Sequence, residues 1–386
     1  MRNGSAYLVT LLLLIASGCA PPEPHSEAEV MLGDACQFLW VQQEEDGGWH
    51  SGTHGFLRGG QAWTPYVLHA LLEAPDVHCE KPPRQVQAAL DFIRQHTNAA
   101  GVLGLADPDI LEYPNYATAY AVRVLVRAGE PADSALIDKM AAYLAAQQFV
   151  EARGVEGDDW AYGGWGFGEQ GLPPGSVGHV DLSHTRRVLQ ALREAGYNNA
   201  ETYRKAGIFL CLLQKSTDRL GADTSHFDGG FFASPVIITV NKAGRVPGAS
   251  AKRPVFRSYA TTTSDGVLAL LAAGVAPDDQ RMQAAIDWLR QHPGWAYPGG
   301  IPQDDPAQWH RVLVFYHLAV RAEAYAALQE PGSWREEVVH LLAEKQHEDG
   351  SFANPYGAPN KEDDPMLATA MAVQALSHAL RDPASE

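Results

Sequence analysis

Apolar residues recur along this chain of 386 residues with the spacing of α-helices, and two kinds of helix alternate. In the first kind a single face is apolar, and an example is the series Val86, Ala89, Leu90 and Ile93. The second kind is apolar on nearly every side, as in the segment 266–273, and such a helix must be buried all round. The alternation predicts a layer of half-exposed helices wrapped around a layer of buried ones.

The two kinds of helix form a repeat that occurs six times. Each unit begins with a half-exposed helix that ends near a glutamine, and these glutamines are Gln43, Gln95, Gln148, Gln214, Gln291 and Gln346. A glycine-rich turn with an aromatic residue follows, most clearly at 46–49 and 349–352. Five buried helices then carry a threonine seven residues before a leucine, and these threonines are Thr64, Thr118, Thr185, Thr263 and Thr369. The fifth unit, around Arg311, breaks the pattern.

Six helical hairpins of this kind predict an all-α fold, a closed (α/α)6 toroid with an inner ring of buried helices and an outer ring of half-exposed ones. An open solenoid needs polar capping units, and neither end of the repeat carries one. We expect a single toroid domain over residues 28–382 and a short tail at 383–386. Because every unit has the same connectivity, the loops that precede the six inner helices should all lie on one rim.

Two of these loops are long. The interval from glutamine to threonine is 21 residues in the first unit and 23 in the second, but 37 in the third and 49 in the fourth. The insertion in the fourth unit contains the segment 236–240, which has the composition of a short strand. Long ordered loops beside a cavity are usually lids or binding surfaces, so we expect the substrate gate there.

The N-terminus has the pattern of an export signal. The apolar run from Ala6 to Ile15 is too short to cross a membrane and ends in small residues before Cys19. Residues 1–18 resemble a bacterial lipoprotein signal peptide, which implies that Cys19 is lipidated and that 19–27 form a tether. The protein is then expected outside the cytoplasm, held by its lipid anchor at the periplasmic face of the outer membrane. An ordinary secretory signal is the alternative.

The net charge limits the expected binding partners, and the cysteines suggest one disulfide. The formal net charge is −17, which argues against nucleic acid and against an anionic membrane surface, because both are bound through basic patches. In an oxidising compartment Cys36 and Cys79 are candidates for a disulfide, which leaves Cys211 on an apolar helical run as a buried thiol. Nothing in the sequence calls for a cofactor.

The repeat also resembles a known family. The segments 43–49 and 346–352 are similar to the glutamine–tryptophan repeats of squalene–hopene cyclases and to the related repeats of protein prenyltransferase β-subunits. The resemblance covers all six units and extends to 257–266 and 362–370, which look like segments of bacterial prenyltransferase and squalene oxidase repeat proteins. It implies an α/α toroid that encloses an apolar ligand.

The chain lacks both the catalytic motif of squalene–hopene cyclases and the zinc site of prenyltransferase β-subunits. Squalene–hopene cyclases begin cyclisation with an Asp-x-Asp-Asp-Thr-Ala motif, whose central acid protonates an alkene, and no Asp-Asp-Thr occurs here. Prenyltransferase β-subunits hold zinc with Asp, Cys and His at inner-helix ends, whereas Cys211 lies three residues before Gln214 on an outer helix. The resemblance is therefore specific for fold and weak for reaction.

Polar residues in the loops before the inner helices are the candidates for catalysis. Asp363 and Asp364 form a possible coupled acid pair, although Asp364 before Pro365 also fits a purely structural N-cap. Asp181 and His184 are a second candidate pair, with the same structural alternative. His54, His184 and His310 lack the short spacing typical of zinc ligands, so we expect no metal.

Aromatic and basic residues of the same loops are the candidates for ligand binding. They are His54, Arg58, Trp63, Tyr116, Arg257, Tyr259, Trp309 and His310. Ring faces stabilise cations, which suits a carbocation, and they also line apolar pockets.

Three functions stay open at this point. In the first, the ring binds an elongated apolar ligand, an isoprenoid or other lipid, and in the enzymatic form of this hypothesis it cyclises that ligand with Asp364 or Asp181 as proton donor. In the second, the protein is a non-catalytic lipoprotein that binds a lipid or a protein partner. In the third, it is a glycan hydrolase or lyase, because several (α/α)6 enzymes act on polysaccharides with paired carboxylates.

Overall fold

The structure is a computed structural model that describes residues 26–107, 109–217, 224–248 and 255–381. Six helices form an inner ring, and they are α2 (Trp63–Glu73), α4 (Pro114–Ala128), α6 (Leu182–Glu194), α8 (Ala260–Ala272), α11 (Phe315–Ala327) and α13 (Pro365–Leu380). Each inner helix packs against the next, and α13 packs against α2, so the ring is closed. The predicted all-α toroid is thereby confirmed.

Six further helices surround this ring. They are α1 (Glu27–Val41), α3 (Pro83–His96), α5 (Ser134–Ala146), α7 (Ala200–Leu213), α9 (Gln280–Gln291) and α12 (Trp334–Ala343). The loops add the short helix α10 (Trp309–Val312) and two paired strands, β1 (Trp165–Gly166) and β2 (Val180–Asp181). Within the described ranges, no helix is both long and apolar enough to cross a membrane.

The repeated glutamine links neighbouring units. The side chain of Gln148 donates to the carbonyl of Gly163 in its own turn and to that of Thr202 at the start of the next outer helix. Gln43 and Gln214 make the same pair of bonds. In the sixth unit Gln346 donates to Gly350 and to Met31 of α1, so the last unit binds the first in the way that the first, third and fourth units bind their successors. These bonds close the outer ring.

The repeated threonine fixes the aromatic turn onto the inner helix. In all five units that carry it, the threonine hydroxyl accepts the backbone N–H of the turn residue at 2.9–3.1 Å, as Thr185 does from Trp165. A buried N–H without such a partner would be costly, which explains why the threonine recurs. In the fifth unit the backbone N–H of Trp295 donates to Glu337 of α12 at 3.3 Å, and the guanidinium of Arg321 donates to the carbonyls of His292 and Gly294 beside the Trp295 ring.

Two sequence expectations about local structure are wrong. The segment 236–240 contains a 3-10 turn (Ile238–Val240) and no strand. The side chain of Asn241 folds back onto this loop, accepting from the N–H groups of Ala233 and Ser234, so that the chain bends where a strand would extend. Cys211 is half-buried and not buried, and its Sγ accepts from Arg281 at 3.6 Å.

Cys36 and Cys79 are both buried free thiols. A hydrogen bond to Cys79, together with burial, raises the pKa of the Cys36 thiol above its usual range, so the two sulfurs are neighbours. Their pairing in an oxidising compartment stays a prediction. The expected signal peptide, the lipidation site Cys19 and the tether up to residue 25 lie outside the described residues and also stay predictions.

Candidate functional site

A cavity of about 490 Å³ opens at the end of the inner ring where the inner helices begin. This volume is within the range of small-molecule sites. Eight aromatic side chains line it, and they are Trp63, Tyr66, Tyr113, Tyr116, Phe167, Tyr259, Trp309 and Tyr316. They come from the first turns of α2, α4 and α11 and from the loops before the inner helices, because those segments all converge on one rim. We call this end of the ring the cavity rim.

An aspartate between two histidines lies in the wall of the cavity. Asp181 caps α6 by accepting the backbone N–H of His184 at 2.9 Å, and the same carboxylate accepts Nδ1 of His184 at 2.9 Å and Nε2 of His179 at 3.1 Å. Phe167 stacks on His179 and covers the group. Burial raises the pKa of Asp181, but the two imidazoles outweigh it and hold this pKa well below its usual range.

The second ring nitrogen of His184 makes no hydrogen bond within the described part of the chain. Its Nε2 is buried and has no hydrogen-bond partner among the described residues, while the His184 ring lines the cavity. With Nδ1 donating to Asp181, Nε2 carries the free lone pair. This is the arrangement of a general base whose tautomer is set by a carboxylate.

The floor of the cavity is a guanidinium enclosed by tyrosines. Arg187 of α6 lies 4.7 Å from the ring centroid of Tyr116 and 5.3 Å from that of Tyr316, and it donates to the Tyr316 hydroxyl at 3.2 Å. Tyr316 in turn donates to Asp265 of α8 at 2.7 Å. Burial raises the pKa of Asp265, and the guanidiniums of Arg186 and Arg187 act against that rise.

A buried ion pair continues from this floor into the centre of the ring. Arg186 lies 3.0 Å from Asp265 and donates to Glu323 of α11 at 2.6 Å. Gln190 completes the group by donating to the other oxygen of Glu323 at 2.7 Å. Two arginines, Arg186 and Arg187, thus face two carboxylates, of which Asp265 is 2% and Glu323 19% exposed.

Two lysines lie where the cavity meets the solvent. Lys242 belongs to the long loop before α8 and places Nζ 3.6 Å from the centroid of Trp309. Lys361 belongs to the loop before α13 and places Nζ 5.4 Å from the centroid of Phe56. Burial lowers the pKa of Lys242 to about 8, with Asp181 opposing this effect and Lys361 adding to it.

Some of the residues predicted from sequence lie in this cavity and some do not. Asp181, His184, Trp63, Tyr116, Tyr259 and Trp309 line it. Asp364 is buried at the N-terminus of α13, where it accepts from the N–H of Met366 and the hydroxyl of Ser51. Asp363 hydrogen-bonds His54 at 3.0 Å. Asp363, Asp364 and His54 are not among the cavity-lining residues. The role of the Asp363–Asp364 pair as proton donor stays a prediction.

Three other candidates also lie on the cavity rim but outside the cavity lining. Arg58 is largely exposed and forms an ion pair with Asp107 at 3.1 Å. The backbone N–H of Arg257 donates to Gly244. The ring of His310 packs edge-on against that of Tyr297. Among the described residues, no group of three or more His, Cys, Asp or Glu side chains is arranged to hold a metal ion.

The sequence reasoning missed four of the aromatic cavity residues, Tyr66, Tyr113, Phe167 and Tyr316. It also missed five acidic or basic ones, which are His179, Arg187, Lys242, Asp265 and Lys361. A signal for two of them was present, because Arg187 and Asp265 are charged residues on helices that the repeat assigns to the buried inner ring. A buried charge must be paired, so such residues indicate a polar group inside the ring. The lysines had no such signal, since exposed loops commonly carry lysine.

No family model matches the chain, and no curated protein sequence matches it either. Solved structures with the same fold include the type II terpene cyclase MstE from Scytonema. That enzyme is 15% identical, with a TM-score of 0.55 and coverage of 91% of this chain and 97% of its own. MstE has also been solved with geranylgeranyl dihydroxybenzoate, its substrate.

Two glycan-degrading enzymes are similar to the same extent. The unsaturated glucuronyl hydrolase from Bacillus sp. GL1 is 11% identical with a TM-score of 0.56, over 92% of this chain and 97% of its own. An α-1,6-mannanase of Salegentibacter sp. is 11% identical with a TM-score of 0.51, over 90% of this chain and 98% of its own. At these identities the likeness establishes the fold: this chain is an α/α toroid of the kind found in terpene cyclases and in glycan hydrolases.

Proposed function

We propose that this toroid binds an isoprenoid or another elongated lipid in its central cavity, and that His184, oriented by Asp181, acts on it as a general base. The observation that carries the binding part is the lining of eight aromatic rings around a volume of about 490 Å³. Burying the chain of a lipid against such walls is favourable by about 25 cal/mol per Å² of apolar area. The toroid neighbours that bind isoprenoid compounds support this choice of ligand class.

A cyclisation through carbocations fits the cavity less well than base chemistry does. The rings of Tyr116 and Tyr316 face the guanidinium of Arg187, so their electron-rich faces already serve a cation. Lys242 and Lys361 add further positive charge near the cavity mouth. A carbocation formed there would be repelled, whereas the positive charge that His184 gains on abstracting a proton lies beside the carboxylate of Asp181.

The first experiment is mass spectrometry of organic extracts from the mature protein, purified without detergent. We expect a lipid bound in near-stoichiometric amount. Trp309→Ala removes part of the cavity wall and should lower the retained amount about tenfold, because one large side chain contributes roughly 1.5–3 kcal/mol of apolar contact. Tyr297→Ala, an exposed aromatic residue on the same rim and outside the cavity lining, is the matched control. An empty extract from folded protein would remove the proposal.

The catalytic part is tested with His184→Ala. If His184 acts on the ligand, the variant is expected to retain a compound that differs in mass or structure from the compound in the wild-type extract, because the reactant accumulates. His310→Ala, which changes a histidine of the same rim outside the cavity lining, should retain the wild-type compound. Identical extracts from the His184→Ala variant and the wild type would leave a binding protein without chemistry.

Glycan hydrolysis is the second candidate. It is favoured by the presence of two carboxylates, Asp181 and Asp265, in one cavity with aromatic walls, a combination that glycosidases use. Release of reducing sugar from a polysaccharide panel, with loss of that activity in both Asp181→Asn and Asp265→Asn, would select it over the lipid proposal.

A further inference from the structure

Lys242 and Lys361 have no ion pair among the described residues, unlike three other basic residues in the interior. Arg186, Arg123 and Lys215 each lie within 3.0 Å of a carboxylate oxygen. Among the described residues, neither Lys242 nor Lys361 has a carboxylate within 4.0 Å. Their contacts are instead the ring faces of Trp309, Phe56 and Tyr113 and, for Lys242, the carbonyl of Thr239 at 3.0 Å.

The two lysines are also close to each other although they come from different units. Lys242 lies in the loop before α8 and Lys361 in the loop before α13, and both side chains line the one cavity. Each is half-buried, so each ammonium group has lost part of its water shell. The proximity of Lys361 and the burial of Lys242 both lower the pKa of Lys242. Two like charges in this position are unfavourable unless an anion lies between them.

Among the described residues, no carboxylate forms an ion pair with either lysine. The carboxylate of Asp181 raises the pKa of Lys242, but its oxygens already accept from His179 and His184. The chain as a whole carries −17, so this local excess of positive charge is not part of a generally basic surface. The inner helices also begin at this rim, and their N-terminal ends favour negative charge.

We propose that Lys242 and Lys361 bind the anionic head group, a carboxylate or a phosphate, of the ligand whose apolar body fills the cavity. The inference rests on the proposed lipid-binding function and names its substrate class: a singly or doubly charged amphiphile, not a neutral hydrocarbon. The aromatic rings that now contact the ammonium groups hold them at the mouth, where the head group of a ligand inserted tail-first would lie. The lysines thereby also set the direction in which the ligand enters.

The test is isothermal titration calorimetry of delipidated mature protein with three probes that share one chain: farnesol, farnesoate and farnesyl monophosphate. We expect both anions to bind roughly 10- to 100-fold more tightly than farnesol, because charge-assisted hydrogen bonds are the strong ones. In the double variant Lys242→Met, Lys361→Met, which keeps the apolar stems, the ratio should fall to about one. Lys139→Met, a change on the exposed face of α5, is the matched control.

The outcomes distinguish failure of the head-group site from failure of the proposed isoprenoid-binding function. Equal binding of all three probes by the wild type overturns the head-group site and leaves the apolar cavity intact. Failure of all three probes to bind overturns the proposed isoprenoid-binding function itself. Preference for the anions that survives in the double variant places the head group elsewhere. If farnesyl monophosphate gains more than farnesoate in the wild type alone, the natural head group is the doubly charged one.

Discussion

Replacing Arg186 by methionine is expected to lower the free energy of unfolding by about 3–5 kcal/mol, the usual cost of removing one partner from a buried ion pair. The guanidinium is 2% exposed and lies between Asp265, at 3.0 Å, and Glu323, at 2.6 Å. Without it, two carboxylates from different inner helices face each other in the centre of the ring. Urea denaturation followed by circular dichroism measures the loss.

The pH dependence of the unfolding free energy shows whether the lost ion pair causes the destabilisation. Burial raises the pKa of Glu323, but Arg186, Arg123 and other neighbours outweigh it and hold that pKa at about 2. A depressed carboxyl pKa contributes stability above the unfolded pKa of about 4.3, and this contribution is lost as the pH falls towards 2. In the variant Glu323 loses its main partner and protonates more easily, so the difference in stability between wild type and variant should shrink from pH 7 to pH 4.

Two further variants make this prediction specific. Arg204→Met breaks an exposed pair with Glu201 on α7 and should cost less than about 1 kcal/mol. The double variant Arg186→Met, Glu323→Leu removes one arginine and one carboxylate, leaves Arg187 with Asp265, and should regain much of the stability. A loss of less than 1 kcal/mol in Arg186→Met would mean that the centre of the ring is wet.

Gly163→Ala is expected to destabilise the protein by about 2–4 kcal/mol, through backbone strain and a steric clash acting together. The backbone φ at Gly163 is +90°, and a Cβ added there would lie 2.0 Å from the carbonyl oxygen of Lys205 on α7. That contact is the place where the turn of one unit packs on the outer helix of the next. The midpoint of thermal unfolding, with a two-state fit, reports the effect.

Alanine variants at two other glycines distinguish backbone strain from the steric clash. Gly171 has φ +70° but no heavy atom within 4 Å of an added Cβ, so Gly171→Ala measures the backbone strain alone, about 1–2 kcal/mol. Gly207 lies within α7 with the same free space, and Gly207→Ala should stabilise by about 0.5–1 kcal/mol. Equal effects at Gly163 and Gly171 would show that the contact with Lys205 relaxes at no cost.

The repeat explains why so much of the fold was predictable. The glycines equivalent to Gly163 are Gly47, Gly229 and Gly350, and an added Cβ would lie 2.4–2.5 Å from a carbonyl of the next outer helix in each. The glutamine, the glycine and the threonine of a unit therefore make contacts within that unit and with its neighbour. Such contacts recur at a fixed spacing along the chain, so they leave a period that is visible in the sequence.

The site was predictable only in part. Asp181 and Asp364 have the same signature in the sequence, an aspartate directly before an inner helix, and both are N-caps in the structure. The carboxylate of Asp181 also holds two histidines at the cavity wall, whereas that of Asp364 is bonded to Ser51 outside the cavity lining. No local pattern distinguishes these two environments, because they depend on which side of the helix start the neighbouring loops fold over.

The sequence by itself determined the number of units, the closed ring and the rim on which the loops before the inner helices meet, because helix periodicity and repeat contacts are short-range properties. Only the tertiary structure decided which charges share the cavity. Asp265, Arg187 and Tyr316 come from three inner helices, and Lys242 and Lys361 from two distant loops. Their meeting depends on which faces of distant inner helices face one another and on the path of the long loops, and neither has a period that the chain could display.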